Sequence, residues 1–415
     1  MRTALPVFLF ASVFCLTLFA QEKIQSDGEI PIIAWMGVPE GQTTVARFNE
    51  LKESGININF SWYSNVESVE KALDIALQTG VKIMPYCPEL KNEPEKTVTK
   101  LMNHPALFAY HLQDEPANTD FPGLAEWVKR IQAVDTKVPC YINLYPNDKI
   151  IESFFDINAL PENPYKEHVD IFLREVPVPF LSFDHYPITE KDGVRSLKVQ
   201  WYENLEIISV AAREKGIPFW AFALSVAHTN PGSAPGDPYP VPTVADLKLQ
   251  MYSNLAYGAQ ALQYFTYWGF SPTWMDFQGA PMTIGGKRTV IYDRLKVVNA
   301  ELQQRAGVFL DSKVVSVAHT GNTIPQGTKP LGELPSAIKT LEMGGDGAIV
   351  SLMEKGNRQF LIIVNRDCEK RMKLLIEVDE KVNRVQKDAT LIPASSYEAV
   401  TEIDPGDAMI FTWEK

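Results

Sequence analysis

Leu107-Phe-Ala-Tyr-His-Leu-Gln-Asp-Glu-Pro116 carries an apolar run into an acidic corner closed by proline. It reads as a buried strand that ends in a carboxylate pair. Outward from it, from residue 31 to residue 306, short apolar runs alternate with amphipathic helical stretches. That alternation is the pattern of a parallel α/β fold. Before the corner, strands are expected at 32–37, 56–62 and 81–86; after it, at 138–144, 180–186, 218–224 and 261–268. Helices are expected between them, notably at 197–215 and 243–257, and Gly55, Gly80, Gly216 and Gly258 sit where helices should stop. Eight strand–helix units in series predict a (β/α)8 TIM barrel over 21–306 rather than a doubly wound sheet. In such a barrel, catalytic groups come from the C-terminal ends of the strands.

After residue 306 the texture changes. Gly, Thr and Pro gather between 321 and 335, and short alternating strands follow at 348–353, 359–364, 372–378 and 408–413. Turns at Gly356-Asn357, Asn365-Arg-Asp367 and Asp404-Pro-Gly406 separate them. A small C-terminal antiparallel β-sandwich is expected over 307–415. At the other end, Arg2, an apolar run and Ala20 before a polar stretch read as a signal peptide over 1–20. A periplasmic or secreted protein follows from that. The run is too short to favour a membrane span, and Phe14 before Cys15 argues against a lipid anchor. Cys87, Cys140 and Cys368 remain, odd in number and without a CxxC pair, so neither a disulfide scaffold nor a zinc site is indicated. Net charge is −12 and no basic cluster exists, which excludes nucleic acid as a partner and favours a neutral or weakly charged ligand.

The expected strand ends collect Trp35, Trp62, Tyr63, Tyr86, Asp114, Glu115, Asn143, Tyr145, Asp184, His185, Tyr186, Ser225, His228, Tyr267 and Trp268. Aromatic faces stack on sugar rings, and carboxylates and amides bind hydroxyls. The plainer reading is that barrel tops are rich in aromatic rings because these bury large areas. Glu115 is the sharpest candidate. Desolvation and the neighbouring Asp114 would raise its pKa and keep a proton available near neutral pH. The structural alternative has Asp114 capping a turn and Glu115 in an ion pair. His111, His185 and His228 invite a metal reading, but the first strand has no His-x-His pair, and no metal or cofactor is expected. No strand–Gly-rich-loop–helix motif for phosphate appears. The oversized segments 146–179 and 230–242 are candidates to wall a cleft.

In Gln113-Asp-Glu-Pro116, Asp184-His-Tyr-Pro187 and Tyr267-Trp268 the chain resembles the large clan of retaining β-glycosidases, glycoside hydrolases built on this barrel. The resemblance implies that Glu115 is the acid/base. Asp114 stands where the clan usually has Asn, which would alter hydroxyl recognition. The clan's nucleophile is a Glu at the end of strand seven, yet Phe219-Trp-Ala-Phe-Ala-Leu-Ser225 carries no acid. Asp184 is one candidate for the second carboxylate; Asp237 or Asp276 on loops is another. The last possibility is a carbohydrate-binding protein without hydrolysis. The expected function is an exported glycoside hydrolase cleaving O-glycosidic bonds of an oligosaccharide or polysaccharide. Glu115 and Asp184 would be catalytic, and Trp35, Trp62, Asp114, Asn143, His185, Tyr186, Tyr267 and Trp268 would hold the sugar. A hydrolase of other bonds lacks its nucleophile–His–acid motif.

Overall fold

The computed structural model describes residues 22–148, 151–229, 238–271 and 276–415. The expected signal peptide and Asp237 lie outside the described residues. Eight parallel strands curl around an aromatic centre. They are β1 (Ile32–Trp35), β2 (Ile58–Trp62), β3 (Lys82–Tyr86), β4 (Tyr110–Asp114), β5 (Cys140–Asn143), β6 (Leu181–Phe183), β7 (Phe219–Leu224) and β8 (Ala261–Phe265). A helix follows each: α1 (Val45–Glu53), α2 (Val66–Thr79), α3 (Pro94–Leu101), α4 (Phe121–Gln132), α5 (Pro164–Glu175), α6 (Trp201–Lys215), α7 (Val244–Ala256) and α8 (Val290–Gln304). Side chains of Thr44, Asn65, Asn163 and Thr243 accept the first free backbone N–H groups of their helices. Gly80 and Gly216 end theirs in the left-handed region, at φ 74° and 71°.

Six strands form one continuous sheet, β3-β2-β1-β8-β7-β6, and β4 pairs with β5 separately. Single bridges, Ile83 to Leu107 and Leu144 to Phe183, tie the pair to the sheet on either side. The eight strands thus ring the centre without one unbroken ladder, so the expected closed barrel is met as a curled parallel sheet. The β4–β5 register also shifts between His111 and Gln113, the kind of bulge that re-aims side chains beside a site. Trp35, Phe60, Tyr141, Phe180, Trp220 and Phe222 fill the centre. His111 stacks between Phe60 and Tyr141, with ring centroids 4.3 and 5.5 Å away. Burial pulls its pKa down to about 3, so this imidazole is neutral.

Nine antiparallel strands follow: β9 (Lys313–His319), β10 (Ile338–Glu342), β11 (Ala348–Lys355), β12 (Arg358–Asn365), β13 (Met372–Val378), β14 (Asn383–Val385), β15 (Leu391–Pro393), β16 (Val400–Ile403) and β17 (Ala408–Glu414). They make a six-stranded sheet, β9-β11-β12-β17-β14-β15, and a three-stranded sheet, β10-β13-β16. Leu361, Ile363, Phe411 and Trp413 of the larger sheet meet Ile338, Leu374, Ile376 and Ile403 of the smaller. The larger sheet's other face, with Ile349, Phe360, Ile362 and Ile410, shares a core with Leu247, Met251 and Leu255 of α7.

Two local expectations need correction. The helix expected from 197 begins at Trp201, because Ile188–Lys191 and Val194–Leu197 form a hairpin turning at Asp192 and Gly193 with φ 52° and 77°. Strand eight stops at Phe265, three residues short of the expected end. Cys87, Cys140 and Cys368 are free thiols. Among the described residues no helix is long and apolar enough to cross a membrane.

Candidate active site

A cavity of about 130 Å³ opens at the C-terminal ends of the strands. Trp35, Phe222, Tyr186 and Phe265 form aromatic walls, and Asp114, Glu115, Asn143 and Asp184 line it from β4, β5 and the end of β6. Pro146, Asp148, Lys198, His228 and Tyr239 complete it from the loops. Strand alternation brings Asp114 to the rim, and the turn after it brings Glu115. The Glu115 backbone has φ 46°, and its N–H donates to the Asn143 carbonyl at 2.8 Å. A left-handed conformation costs a non-glycine residue about 1–2 kcal/mol, and such strain concentrates at functional positions.

Asn143 organises the carboxylates. Its Nδ2 donates to Asp114 Oδ1 at 3.1 Å and to Asp184 Oδ1 at 2.9 Å. Those two oxygens therefore lie no more than ~6 Å apart. The amide orientation is fixed from below: Ser182 Oγ donates to Asn143 Oδ1 at 3.0 Å, and Gln263 Nε2 donates to Ser182 Oγ at 2.9 Å. Tyr141 OH closes the network on Gln263 Oε1 at 2.8 Å.

Asp114 is open to water inside the cavity yet walled by protein on nearly all sides. Burial and the adjacent Asp184 charge push its pKa from the ordinary 3.8 up to about 7, against the Asn143 hydrogen bond, which favours the ionised form. Also on the lining, Lys198 Nζ donates to Asp148 Oδ2 at 2.5 Å and to Tyr239 OH at 2.7 Å. Burial alone would lower the Lys198 pKa, but Tyr239 and Asp148 outweigh it and hold the ammonium charged.

Of the expected sugar-binding residues, Trp35, Asp114, Asn143 and Tyr186 line the cavity with Glu115 and Asp184. Four do not. Trp62 ends β2 with 51% exposure, outside the lining. His185 is buried behind the wall, its Nδ1 2.9 Å from Asn204 Oδ1 and its Nε2 3.7 Å from Asp148 Oδ2. Tyr267 is fully buried against Trp268 and Tyr292. Trp268 donates Nε1 to the Ile284 carbonyl at 3.3 Å and lies under the Arg47 guanidinium. Because strand eight ends early, Phe265 takes the place expected for these two, and alternation from Gln263 could have pointed to it. Lys198, Asp148 and Tyr239 were missed. The Asp192-Gly193 hairpin signal was the one available clue to Lys198.

At the end of β7, where the clan's nucleophile would stand, Ser225 is buried and donates Oγ to the Thr266 carbonyl at 2.7 Å. Asp276 begins a strand paired with Ala227–Thr229. Among the described residues no group of three or more His, Cys, Asp or Glu is arranged to hold a metal.

No family model matches the chain, and no curated protein matches it in sequence. Among solved structures, a catalytic mutant of Gan42B, a GH42 β-galactosidase from G. stearothermophilus, overlays on 95% of this chain and 100% of that chain, with TM-score 0.62 and 8% identity. The β-galactosidase from Bacillus circulans sp. alkalophilus overlays on 93% of this chain and 99% of that one, with TM-score 0.60 and 9% identity. The β-galactosidase from the psychrophilic Marinomonas ef1 matches 68% of this chain at TM-score 0.49 and 11% identity; only 61% of that relative's length is spanned. At such identities the likeness reaches the fold and no further. The chain has the fold of the β-glycosidase barrels that its Asp114-Glu115-Pro116 corner resembles, with a C-terminal sheet domain.

Proposed function

We propose that this protein is an exported glycoside hydrolase, working in the periplasm or outside the cell on a glycan. The observation that carries the reading is the meeting of Asp114, Glu115 and Asp184 in one aromatic-walled cavity at the strand ends. Glu115 gives its proton to the glycosidic oxygen as the anomeric C–O bond breaks. Asp184 is the partner carboxylate, either attacking the anomeric carbon or taking a proton from the water that does. Trp35 and Tyr186 pack on the sugar ring, and Asn143 and Asp114 bind its hydroxyls. β-Galactoside cleavage, the activity of the overlaid Gan42B, is the first to assay.

A second reading is favoured by Ser225 at the end of β7: a carbohydrate-binding protein that does not hydrolyse. Wild type, Glu115→Gln and Asp184→Asn should be tested on aryl glycosides and an oligosaccharide panel. Loss of kcat/KM by about 10²–10⁴ in Glu115→Gln is the expected result for a general acid. Glycan binding without any turnover in wild type would favour the receptor.

A further inference from the structure

Resting on the glycosidase reading, we propose that Asp114 determines specificity as a hydrogen-bond donor: it works as a neutral carboxylic acid whose O–H goes to an acceptor oxygen of the bound sugar.

Two carboxyl groups share one amide here. Asn143 Nδ2 donates to Asp114 Oδ1 at 3.1 Å and to Asp184 Oδ1 at 2.9 Å, and Ser182 Oγ fixes the other end of the amide at 3.0 Å. Two acids held this close do not both ionise readily, and one of the pair keeps its proton into the neutral range. The donors decide which. Asp184 receives the Asn143 amide and also the Tyr186 hydroxyl, which burial keeps protonated. Hydrogen bonds to a carboxylate favour its charged form. Asp114 receives the single, longer bond from Asn143, and among the described residues no cation acts on it. The proton therefore stays on Asp114, whose pKa burial and Asp184 push up to about 7.

The surroundings do not change that assignment. The phenols of Tyr141, Tyr145 and Tyr186 feel the Asp114 charge, and burial raises all three, so they stay uncharged. Glu115, Lys198 with its partner Asp148, His228 and Tyr239 are the other charged or titratable groups on the lining. An ionised Asp114 could only accept hydrogen bonds, whereas a neutral one donates. Its Oδ1 is taken by the amide, leaving Oδ2 for the proton, and the residue is open to the cavity it lines. The site thus holds a sugar oxygen that accepts, and its grip weakens as pH rises through about 7.

The test reads the proton and the ligand separately. Infrared pH-difference spectra with isotope-labelled aspartate, taken without ligand, should show one protonated aspartyl group at about pH 6 that is ionised by about pH 8.5. That band should be missing in Asp114→Asn and should ionise at lower pH in Asp184→Asn, which removes the neighbouring charge. No band in wild type, or an unmoved midpoint in Asp184→Asn, overturns the proposal. Binding is measured by calorimetry in Glu115→Gln, which keeps the sugar intact, with methyl β-D-galactoside first and then any panel sugar that wild type cleaves. Kd should rise about 30-fold from pH 6 to pH 8.5 as the protonated fraction is lost. Adding Asp114→Asn should cut that rise to less than about threefold, because an amide donates at every pH. Adding Asp114→Ala should weaken binding at pH 6 by about tenfold, the worth of one hydrogen bond. A Kd that falls with rising pH, or is blind to it, overturns the donor role alone. If wild type neither binds nor cleaves any sugar of the panel, the glycosidase reading and the donor role fall together.

Discussion

Asp114 holds its proton more tightly in the folded protein than in the unfolded chain, because burial and Asp184 both oppose its ionisation. Between about pH 3.8 and pH 7 the folded state therefore binds more protons, and stability falls as pH rises through that window. Asp114→Asn removes the ionisable group while keeping an oxygen for the Asn143 amide. The variant should melt with wild type near pH 4 and above it at pH 8; melting curves across that range check this, and a gap independent of pH would place the proton elsewhere. Asp114 and Glu115 were legible because a buried strand running into Asp-Glu-Pro has few other uses. The direction of the proton was not. It depends on Asp184, which lies seventy positions away in the chain and shares the amide of Asn143 with Asp114. Asp148, Lys198 and Tyr239 lie on insertions, where no periodicity tells which way a side chain faces.

Strands β5, β6 and β8 hold the site through one polar layer: Asn143, Ser182, Tyr141 and Gln263. Ser182 is fully buried, and its hydroxyl is the group that tells the Asn143 amide which end points up. Ser182→Ala leaves the Asn143 oxygen without its donor below and loosens the amide that holds the two carboxylates. The expected result is a fall in kcat of about 100-fold, as for a small misplacement of reacting groups, with the far-ultraviolet circular dichroism unchanged. Kinetics across pH on the Ser182→Ala enzyme check it; activity within twofold of wild type would mean that the layer is only structural. At this scale the barrel's parallel strands and their helices were readable, since buried parallel strands are short apolar runs between amphipathic helices, but the 188–197 hairpin and strands β9 and β10 were not. Strand ends were not. Ala261 to Trp268 is apolar or aromatic at all but two positions, so hydropathy alone could not show that the strand stops at Phe265. The strands β14, β15 and β16 are short and of mixed burial, and turn signals alone did not separate them.

The two parts of the molecule share a core, and this decides how it should unfold. Residues 246 to 256 of α7 are buried on every side, between the curled sheet and the larger C-terminal sheet. A helix enclosed all round belongs to the inside of one unit rather than to the surface of a domain, and here its buried Lys248 is satisfied by ion pairs. Polar ties cross the same boundary. Lys248 donates to Glu301 Oε2 at 2.7 Å and to Asp407 Oδ2 at 2.8 Å, and Ser351 Oγ donates to the Ala256 carbonyl at 2.7 Å. Lys248 and both its carboxylate partners are largely buried. Burial would raise the Asp407 pKa, but Lys248 and Lys387 outweigh it and hold it below the usual carboxylate value. Lys248→Met leaves Glu301 and Asp407 enclosed with Lys387 as their remaining lysine partner, and removing one member of a buried ion pair costs about 3–5 kcal/mol. The low end is expected here because Lys387 stays. Because the apolar core is continuous, that loss should move one calorimetric transition to lower temperature without splitting it. Two separable transitions in wild type would show that the C-terminal sheets fold independently of the barrel, and that the packing around α7 is a docking contact rather than a common core.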